Sequence, residues 1–565
     1  MAMNASKTKL VIGIVMTLGI VLSSCQPQVI EVEKEVPVDR IVEVEKEVIV
    51  EKIVEKVRVR NPRTLIIAVA DDTGSEFDPD FGGGSDAENE FGKNIHAQWF
   101  QYDRIDTGEG YLMADAVNFT GDLIESWEIE DDGVTINLKV RKGMTFRDTG
   151  DEVTADDLLA WIERSFRTDA AGKWILNTGQ VHSTDQVTIN GPHDMTIKLS
   201  AATPLFFPLL RDQSSVAING KAVYAAEDAG DELAKNYFIE NDGLPGEYKM
   251  ISRTPGVETV LEWDETYWAE PPYFHRIILK VIPSSTDRAL LLRSGNVDIA
   301  KSLSMDELSG LAGDPGVKVW SVPSRSQIQF GLLNDHPPFD DVRVRQAVAY
   351  AVPYADILDG VYQGKAAISA GGPVPVASAY QVGLEWPYTH DLDKAKALVA
   401  EAGAEGATFT AGIKAGDPSA EAVAILIQAE LAKVGLNMEI SKDPDAVYGE
   451  KRFGSEYDAF IGGMNAFVDS PYYYLFIFYR SGIYCCNFFN YANPRVDEIN
   501  DILATEVDPA KITPLWTEAV EHMINDVPAV FMVDENFQVA MRDDIGGLVV
   551  EPDSLLSYRE LYRNE

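Results

Sequence analysis

Pro338-Phe-Asp-Asp-Val-Arg-Val-Arg-Gln-Ala347 leads into a run from Val342 to Leu358 whose apolar residues recur at helical spacing. Arg343 and Arg345 on that amphipathic helix are expected to make structural ion pairs and are not read as ligand groups. Outward from this block, strand and helix signals are interleaved. Thr64-Leu-Ile-Ile-Ala-Val-Ala70 is a continuous apolar run, the pattern of a strand buried on both faces. Asp71 to Gly84, rich in Asp and Gly, reads as the loop at its end. Gly133 to Val140 alternates as a strand after the Asp131-Asp132-Gly133 turn. Thr154 to Glu163 starts with a capping residue and continues as a helix. Asp393 to Gly403 is also helical, and Val423, Ile427, Leu431 and Val434 line one face of another helix. The interleaving predicts an α/β fold with mixed sheets.

Composition narrows the function classes. With 45% hydrophobic and 10% aromatic residues, the 565-residue chain can bury a sizeable core. Lys plus Arg total 48 against 90 Asp plus Glu, a formal charge of −42. That balance excludes nucleic acid as a partner, because phosphates need cationic neutralisation. It also disfavours binding along anionic lipid. An acidic, well-solvated surface explains most of it, and a cationic or zwitterionic ligand is compatible with it. The three cysteines are Cys25, Cys485 and Cys486, too few for a disulfide framework. Cys485 and Cys486 are either free or joined to each other, and two thiols alone would leave a metal site incomplete.

The N-terminus has the layout of a secretory signal. Lys7 and Lys9 precede the apolar stretch Leu10 to Leu22, and Ser23-Ser24 precede Cys25. The stretch is short of the roughly 20 apolar residues of a permanent span. It resembles a bacterial lipoprotein signal, which implies removal of residues 1–24 and lipidation of Cys25. The exported body would then be anchored to the membrane, facing the periplasm or cell exterior. Residues 25–61 read as a charged stalk in which Glu31-Val-Glu-Lys-Glu-Val36 recurs as Glu43-Val-Glu-Lys-Glu-Val48.

Motifs for catalysis are missing. The sequence holds no phosphate-binding Gly-x4-Gly-Lys-Ser/Thr loop, no Gly-x-Ser-x-Gly elbow and no His-Glu-x-x-His. No catalytic residue, metal ligand or cofactor is therefore expected. Asp71, Asp72, Asp78 and Asp80 lack the pattern of a calcium loop and are expected to solvate their loop.

Several ordered segments resemble the family 5 extracellular solute-binding proteins of ABC importers, which include oligopeptide, dipeptide and nickel binders. Leu123-Ile-Glu-Ser-Trp-Glu128 with Asp131-Asp-Gly133, Leu138 to Phe146, and Val153-Thr-Ala-Asp-Asp157 carry the first part of the likeness. Gly246-Glu-Tyr-Lys249 follows the family's Gly-Pro-Tyr element with Glu247 in place of Pro, and Arg293 to Asp298 matches its Gly-x-x-Asp step. Pro338 to Ala347, Ala395 to Leu398, Glu401 to Gly403, Tyr491 to Asp497 and Asp526-Val-Pro528 complete it. Trp127 and Phe146 are expected in the core, and Asp157 at a helix cap. The resemblance implies a two-lobed type II clamp with a small extra subdomain. Lobe I would comprise residues 62–100, 205–283 and 531–565, the subdomain 101–204 and lobe II 284–530. Crossovers would lie near Val281-Ile-Pro283 and Pro528 to Val533. It further implies a monomeric body that captures a solute without chemistry and delivers it to a permease.

In peptide-binding relatives, an Asp after the strand that precedes the distal helices pairs with the ligand's ammonium. Matched on Pro471, this sequence places Phe467 there, with Asp469 two residues later. Either Asp469 takes over the pairing, or the ligand has no free ammonium at that point. Asn465, Phe467, Asp469, Tyr472, Tyr473 and Tyr474 are the expected cleft residues. Gln327 and Gln329, alternating on a strand, and Trp386 on a Pro-bounded loop join them. A peptide is the leading ligand. An oligosaccharide stacked on Tyr473 and Trp386, and a sensory lipoprotein without transport, are the alternatives.

Overall fold

The structure is a computed structural model that describes residues 61–73, 77–80, 86–482 and 486–564, within one compact unit, Asn61–Glu565. The expected signal peptide, Cys25, the stalk up to Arg60, and Cys485 lie outside the described residues.

The first apolar run forms β1 (Thr64–Val69), hydrogen-bonded in parallel on both sides, which explains why it carries no polar alternation. Helix α1 (Asp86–Ile95) then leads to the hairpin β2 (Phe100–Asp106) and β3 (Leu112–Gly121). A separate antiparallel sheet follows, with β4 (Ile124–Ile129), β5 (Thr135–Val140), β6 (Val187–Gly191) and β7 (Asp194–Lys198) in the order β4-β5-β7-β6. Helix α2 (Ala155–Thr168) lies between β5 and β6 in sequence. Its N-terminus is fixed as expected: Asp157 Oδ2 accepts from the Thr154 N–H and hydroxyl at 2.9 and 2.7 Å. Phe146 is fully buried, and Trp127 packs edge-on against Phe100 at 5.1 Å.

The chain returns to the main sheet through β8 (Tyr248–Thr254), β9 (Glu258–Trp263) and β10 (Arg276–Val281). After α3 (Ser285–Arg293), β11 (Ile299–Ala300) and α4 (Met305–Leu311) comes the long β12 (Val317–Leu332). Then follow α5 (Val342–Ala351), β13 (Ala366–Ile368), α6 (Leu392–Ala402), β14 (Thr408–Lys414) and α7 (Pro418–Lys433). Strands β15 (Asn437–Asp443) and β16 (Ala459–Met464) precede the short α8 (Pro471–Tyr474). The 18-residue α9 (Pro509–Asp526) delivers the chain into β17 (Ala529–Arg542). Short strands β18 (Ile545–Gly546), β19 (Val549–Val550) and β20 (Tyr562–Arg563) close the body.

The main sheet runs β15-β14-β16-β12-β17-β11-β1-β10-β9-β8, with β13 added against β17. Strands β12 and β17 are antiparallel and occupy its middle. Val317–Pro323 pairs with Asn536–Arg542 beside β11, whereas Gln327–Gly331 pairs with Ala529–Asp534 beside β16. The pair therefore belongs to both halves of the sheet. Between Pro323↔Asn536 and Gln327↔Asp534, three residues of β12 face Glu535 alone, a bulge that turns their side chains out of strand alternation. The segment after β10, through α3 and β11, packs back beside β1 and β17.

Three expectations differ from the structure. The helix read from Val342 to Leu358 stops at Ala351, with Val352 extended (φ −66°, ψ 125°), because Pro353 crowds a helical conformation in the residue before it. Arg343 pairs with Asp341 at 2.6 Å as expected, but Arg345 donates to backbone carbonyls, Asp526 at 2.8 Å and Phe339 at 2.7 Å. Asp78 and Asp80 do not solvate a loop: both are buried against the Arg164 guanidinium of α2, at 2.5 and 2.9 Å. Asp72 is taken by Arg253 at 2.8 Å.

Candidate ligand-binding site

A cavity of about 390 Å³ opens where the β12 bulge meets the ends of the neighbouring elements. Its lining includes Ser326 of the bulge, Asn465 after β16, Gln538 of β17, Lys301 after β11 and Asp553-Ser554-Leu555 of the C-terminal segment. This volume lies within the range of small-molecule sites. Three acceptors on its wall are buried without a hydrogen-bond partner: Asn465 Oδ1, Gln538 Oε1 and Ser554 Oγ. Other side chains elsewhere in the body share that state, among them Trp161 Nε1 and Asn500 Oδ1.

The charges that face this cavity are already engaged. Lys301 is ion-paired with Glu90. Asp553 accepts from Arg211 at 2.9 Å, Lys93 at 3.4 Å and the Leu555 N–H at 3.1 Å. Burial pushes the Asp553 carboxyl up, but Arg211 and Lys93 outweigh it and hold it well below the usual carboxylate range.

The predicted residues divide by location. Asn465 lines the large cavity. Gln327, Gln329 and Tyr474 line an adjoining space of about 10 Å³ with Arg325, enough for roughly one water. Gln327 is held by Gly372 O and Asp534 Oδ1, both at 2.8 Å, and Gln329 donates to Gln327 at 2.8 Å. Asp469 is only 4% exposed and saturated: Ser378 Oγ donates at 2.6 Å, the Ala379 N–H at 2.8 Å, and Arg325 pairs at 3.2 Å. Phe467 is 51% exposed. Tyr472 is buried against Phe476, and Tyr474 stacks on Trp516 at 6.0 Å. Tyr473 is buried, with Asp212 and Tyr102 the titratable groups acting on its phenol. Trp386 stands apart from the cavity, wedged between Tyr388 and Phe531 with its N–H donating to Tyr354 at 3.0 Å.

Sequence reasoning missed Ser326 and Gln538 at the cavity and Arg325 at the smaller space. Asp534-Glu535 is an acidic pair directly after the apolar run Ala529–Val533, and that signal was available. The Tyr102 hydroxyl has no hydrogen-bond partner, and burial pushes its pKa up to about 12. Cys486 is disulfide-bonded. Among the described residues no helix is long and apolar enough to cross a membrane, and no group of three His, Cys, Asp or Glu is placed to hold a metal.

Glu247, the departure from Gly-Pro-Tyr, is buried with Arg559 at 3.0 Å and the Gln101 amide at 3.4 Å. Burial, helped by Glu560 and Asp122, pushes its carboxyl up to about 7 despite Arg559. A carboxyl that binds its proton more tightly folded than unfolded favours folding at low pH. That contribution is lost as pH rises from 4.5, the ordinary value, through about 7. Urea unfolding across that window should show stability falling with pH, and Glu247→Gln should flatten the slope. An unchanged slope would contradict the assignment.

The comparisons agree with this architecture. The family model described as bacterial extracellular solute-binding proteins, family 5 middle, matches residues 118–484, more than half of the chain. The chain is 27% identical to the probable D,D-dipeptide-binding periplasmic protein of Escherichia coli over 444 residues, 76% of this chain and 82% of that one. It is 24% identical to di/tripeptide-binding protein 1 of Pseudomonas aeruginosa over 466 residues, 78% and 85% of the two chains. Among solved structures, a periplasmic binding protein of Helicobacter pylori in complex with the peptide STSA superposes with a TM-score of 0.77 at 20% identity. That match covers 91% of this chain and all of the other. The fold, the cavity between sheet halves and the family match converge: this chain belongs to family 5 of the bacterial extracellular solute-binding proteins.

Proposed function

We propose that this protein captures a small peptide outside the cell, closes over it, and hands it unaltered to the permease of an ABC importer. The observation that carries the reading is the cavity of about 390 Å³, whose wall is drawn from both halves of the main sheet and includes the amide residues Asn465 and Gln538. Such side chains can hydrogen-bond a peptide backbone. The names of the relatives, a D,D-dipeptide binder and a di/tripeptide binder, support a ligand of that class. The signal-like N-terminus supports export and tethering through Cys25. Ligand contacts to both halves would favour the closed state, and no bond need be made or broken.

Thermal-shift screening of Asn61–Glu565 against di- and tripeptides and against oligosaccharides tests this. A ligand at 100 times its Kd stabilises the folded state by about 2.7 kcal/mol, an easily read shift. Peptide-dependent shifts are expected. Shifts with glycans alone would replace the peptide by an oligosaccharide.

A further inference from the structure

The smaller space of about 10 Å³ adjoins the large cavity, and Met464 at the end of β16 lines both. The strand register sets Met464 opposite Gln327, and alternation along β12 puts Gln329 on the same side as Gln327. A relay of amides fixes what this space presents. Gln327 Nε2 donates to Gly372 O and Asp534 Oδ1, and Gln327 Oε1 accepts from Gln329 Nε2, all at 2.8 Å. The relay ends at Gln329 Oε1, an acceptor without a hydrogen-bond partner on a side chain only 2% exposed. Tyr474 shares the lining, is 3% exposed, and its hydroxyl has no partner either. Stacking on Trp516 fixes the ring, and with it the place of the hydroxyl. Burial, helped by Asp469, pushes this phenol well above its ordinary pKa, so the hydroxyl keeps its proton and can donate.

We propose that this space is a specificity subsite for a hydroxyl-bearing side chain of the bound solute, Ser or Thr in size, with Met464 as the movable partition between it and the main cavity. The assignment deepens the peptide reading above and rests on it. A hydroxyl brings one donor and two acceptor lone pairs, the complement of an amide oxygen at Gln329 and an O–H at Tyr474. A methyl group in its place would leave both buried atoms unpaired, and a carboxylate would offer Gln329 Oε1 no proton. The volume takes roughly one water-sized group, which matches a hydroxyl and rejects longer polar side chains. Met464 is unbranched with three rotatable bonds, so it can change rotamer to admit the group without moving β16.

The experiment is isothermal titration of the purified full-length protein with di- and tripeptides that differ only in carrying Ser, Ala or Asn, each position taken in turn. At one position wild type is expected to bind the Ser peptide at least about tenfold tighter than its Ala counterpart, since a site built around a hydroxyl rejects the analogue lacking it. Tyr474→Phe removes the donor and should cut that ratio to about twofold or less. The unliganded Tm of this variant should be equal or higher, because the lost hydroxyl made no hydrogen bond within the protein. Met464→Ala removes the partition and should bring the Asn peptide to within about twofold of the Ser peptide. A Ser-to-Ala ratio within about twofold at every position in wild type would overturn the inference and leave peptide capture intact. So would a Tyr474→Phe protein that keeps the wild-type ratio, or a Met464→Ala protein that ranks the peptides as wild type does. If no peptide binds wild type, the peptide reading itself falls, and this assignment with it.

Discussion

Arg164→Ala is expected to destabilise the protein by about 3–5 kcal/mol, the range for breaking a buried ion pair by removing one partner. Arg164 is 0% exposed, and its guanidinium holds Asp78 Oδ1 at 2.8 Å, Asp78 Oδ2 at 2.5 Å and Asp80 Oδ2 at 2.9 Å. It also donates to the Leu233 carbonyl at 2.9 Å and lies over the Phe238 ring. Without it, two carboxylates remain in a site where burial already pushes Asp80 above the usual range. In the variant Asp80, without its cation, would bind a proton more tightly folded than unfolded. The deficit should therefore be smaller at pH 5 than at pH 7.5, the sign expected of raised folded-state pKa values. Urea unfolding at the two pH values measures it. Adding Asp78→Asn and Asp80→Asn to Arg164→Met should restore much of the loss, because a buried triad can be replaced by neutral groups of similar volume. A loss below about 1 kcal/mol would mean the triad is solvated, contrary to the geometry.

Asp469→Ala has the second large effect, again about 3–5 kcal/mol, and it separates two readings of that residue. Asp469 ties the chain after β16 to Ser378-Ala379 and to Arg325 of the bulge. Its removal leaves Arg325, only 8% exposed, without an anion, and leaves the Ala379 N–H without its acceptor. Ligand affinity should fall too, because Asn465 sits in the same segment, but through displacement of that segment. Arg325→Leu combined with Asp469→Leu should recover a good part of the stability, and a double-mutant cycle reports the coupling. Should Asp469→Ala unfold like wild type yet lose peptide binding completely, Asp469 would be a direct ligand group after all.

Much of the fold was legible because its signals are local. The apolar run of β1 could only be a strand enclosed on both sides, and the α7 stripe Val423, Ile427 and Leu431 is buried as its spacing requires. The early end of α5 was legible too, had Pro353 been given its full weight against the residue before it. The site is harder for a physical reason. Arg325 meets Asp469, and Ser326 meets Glu535, only because a bulge re-aims three side chains, and a bulge leaves no periodic mark in a sequence. Aromatics after β16 look alike whether they line a cleft or fill a core. Tyr474 on Trp516 and Trp386 between Tyr388 and Phe531 show how fully such rings are absorbed by packing. The acids Asp78 and Asp80 read as loop residues because their partner, Arg164, arrives from a distant helix.

The pairing of β12 with β17 on both sides of the bulge has a mechanical corollary. A molecule whose two halves share such a ribbon can flex as a leaf spring does, by changing curvature where the register slips, without snapping the rungs on either side of it. If the body closes over its solute as proposed, the balance between open and closed forms would be set by backbone torsions near Pro323–Gln327, where the register slips. Reversing that balance from 1:99 to 99:1 takes about 5.5 kcal/mol of preferential solute contact, which one well-formed charge pair and a few hydrogen bonds can supply.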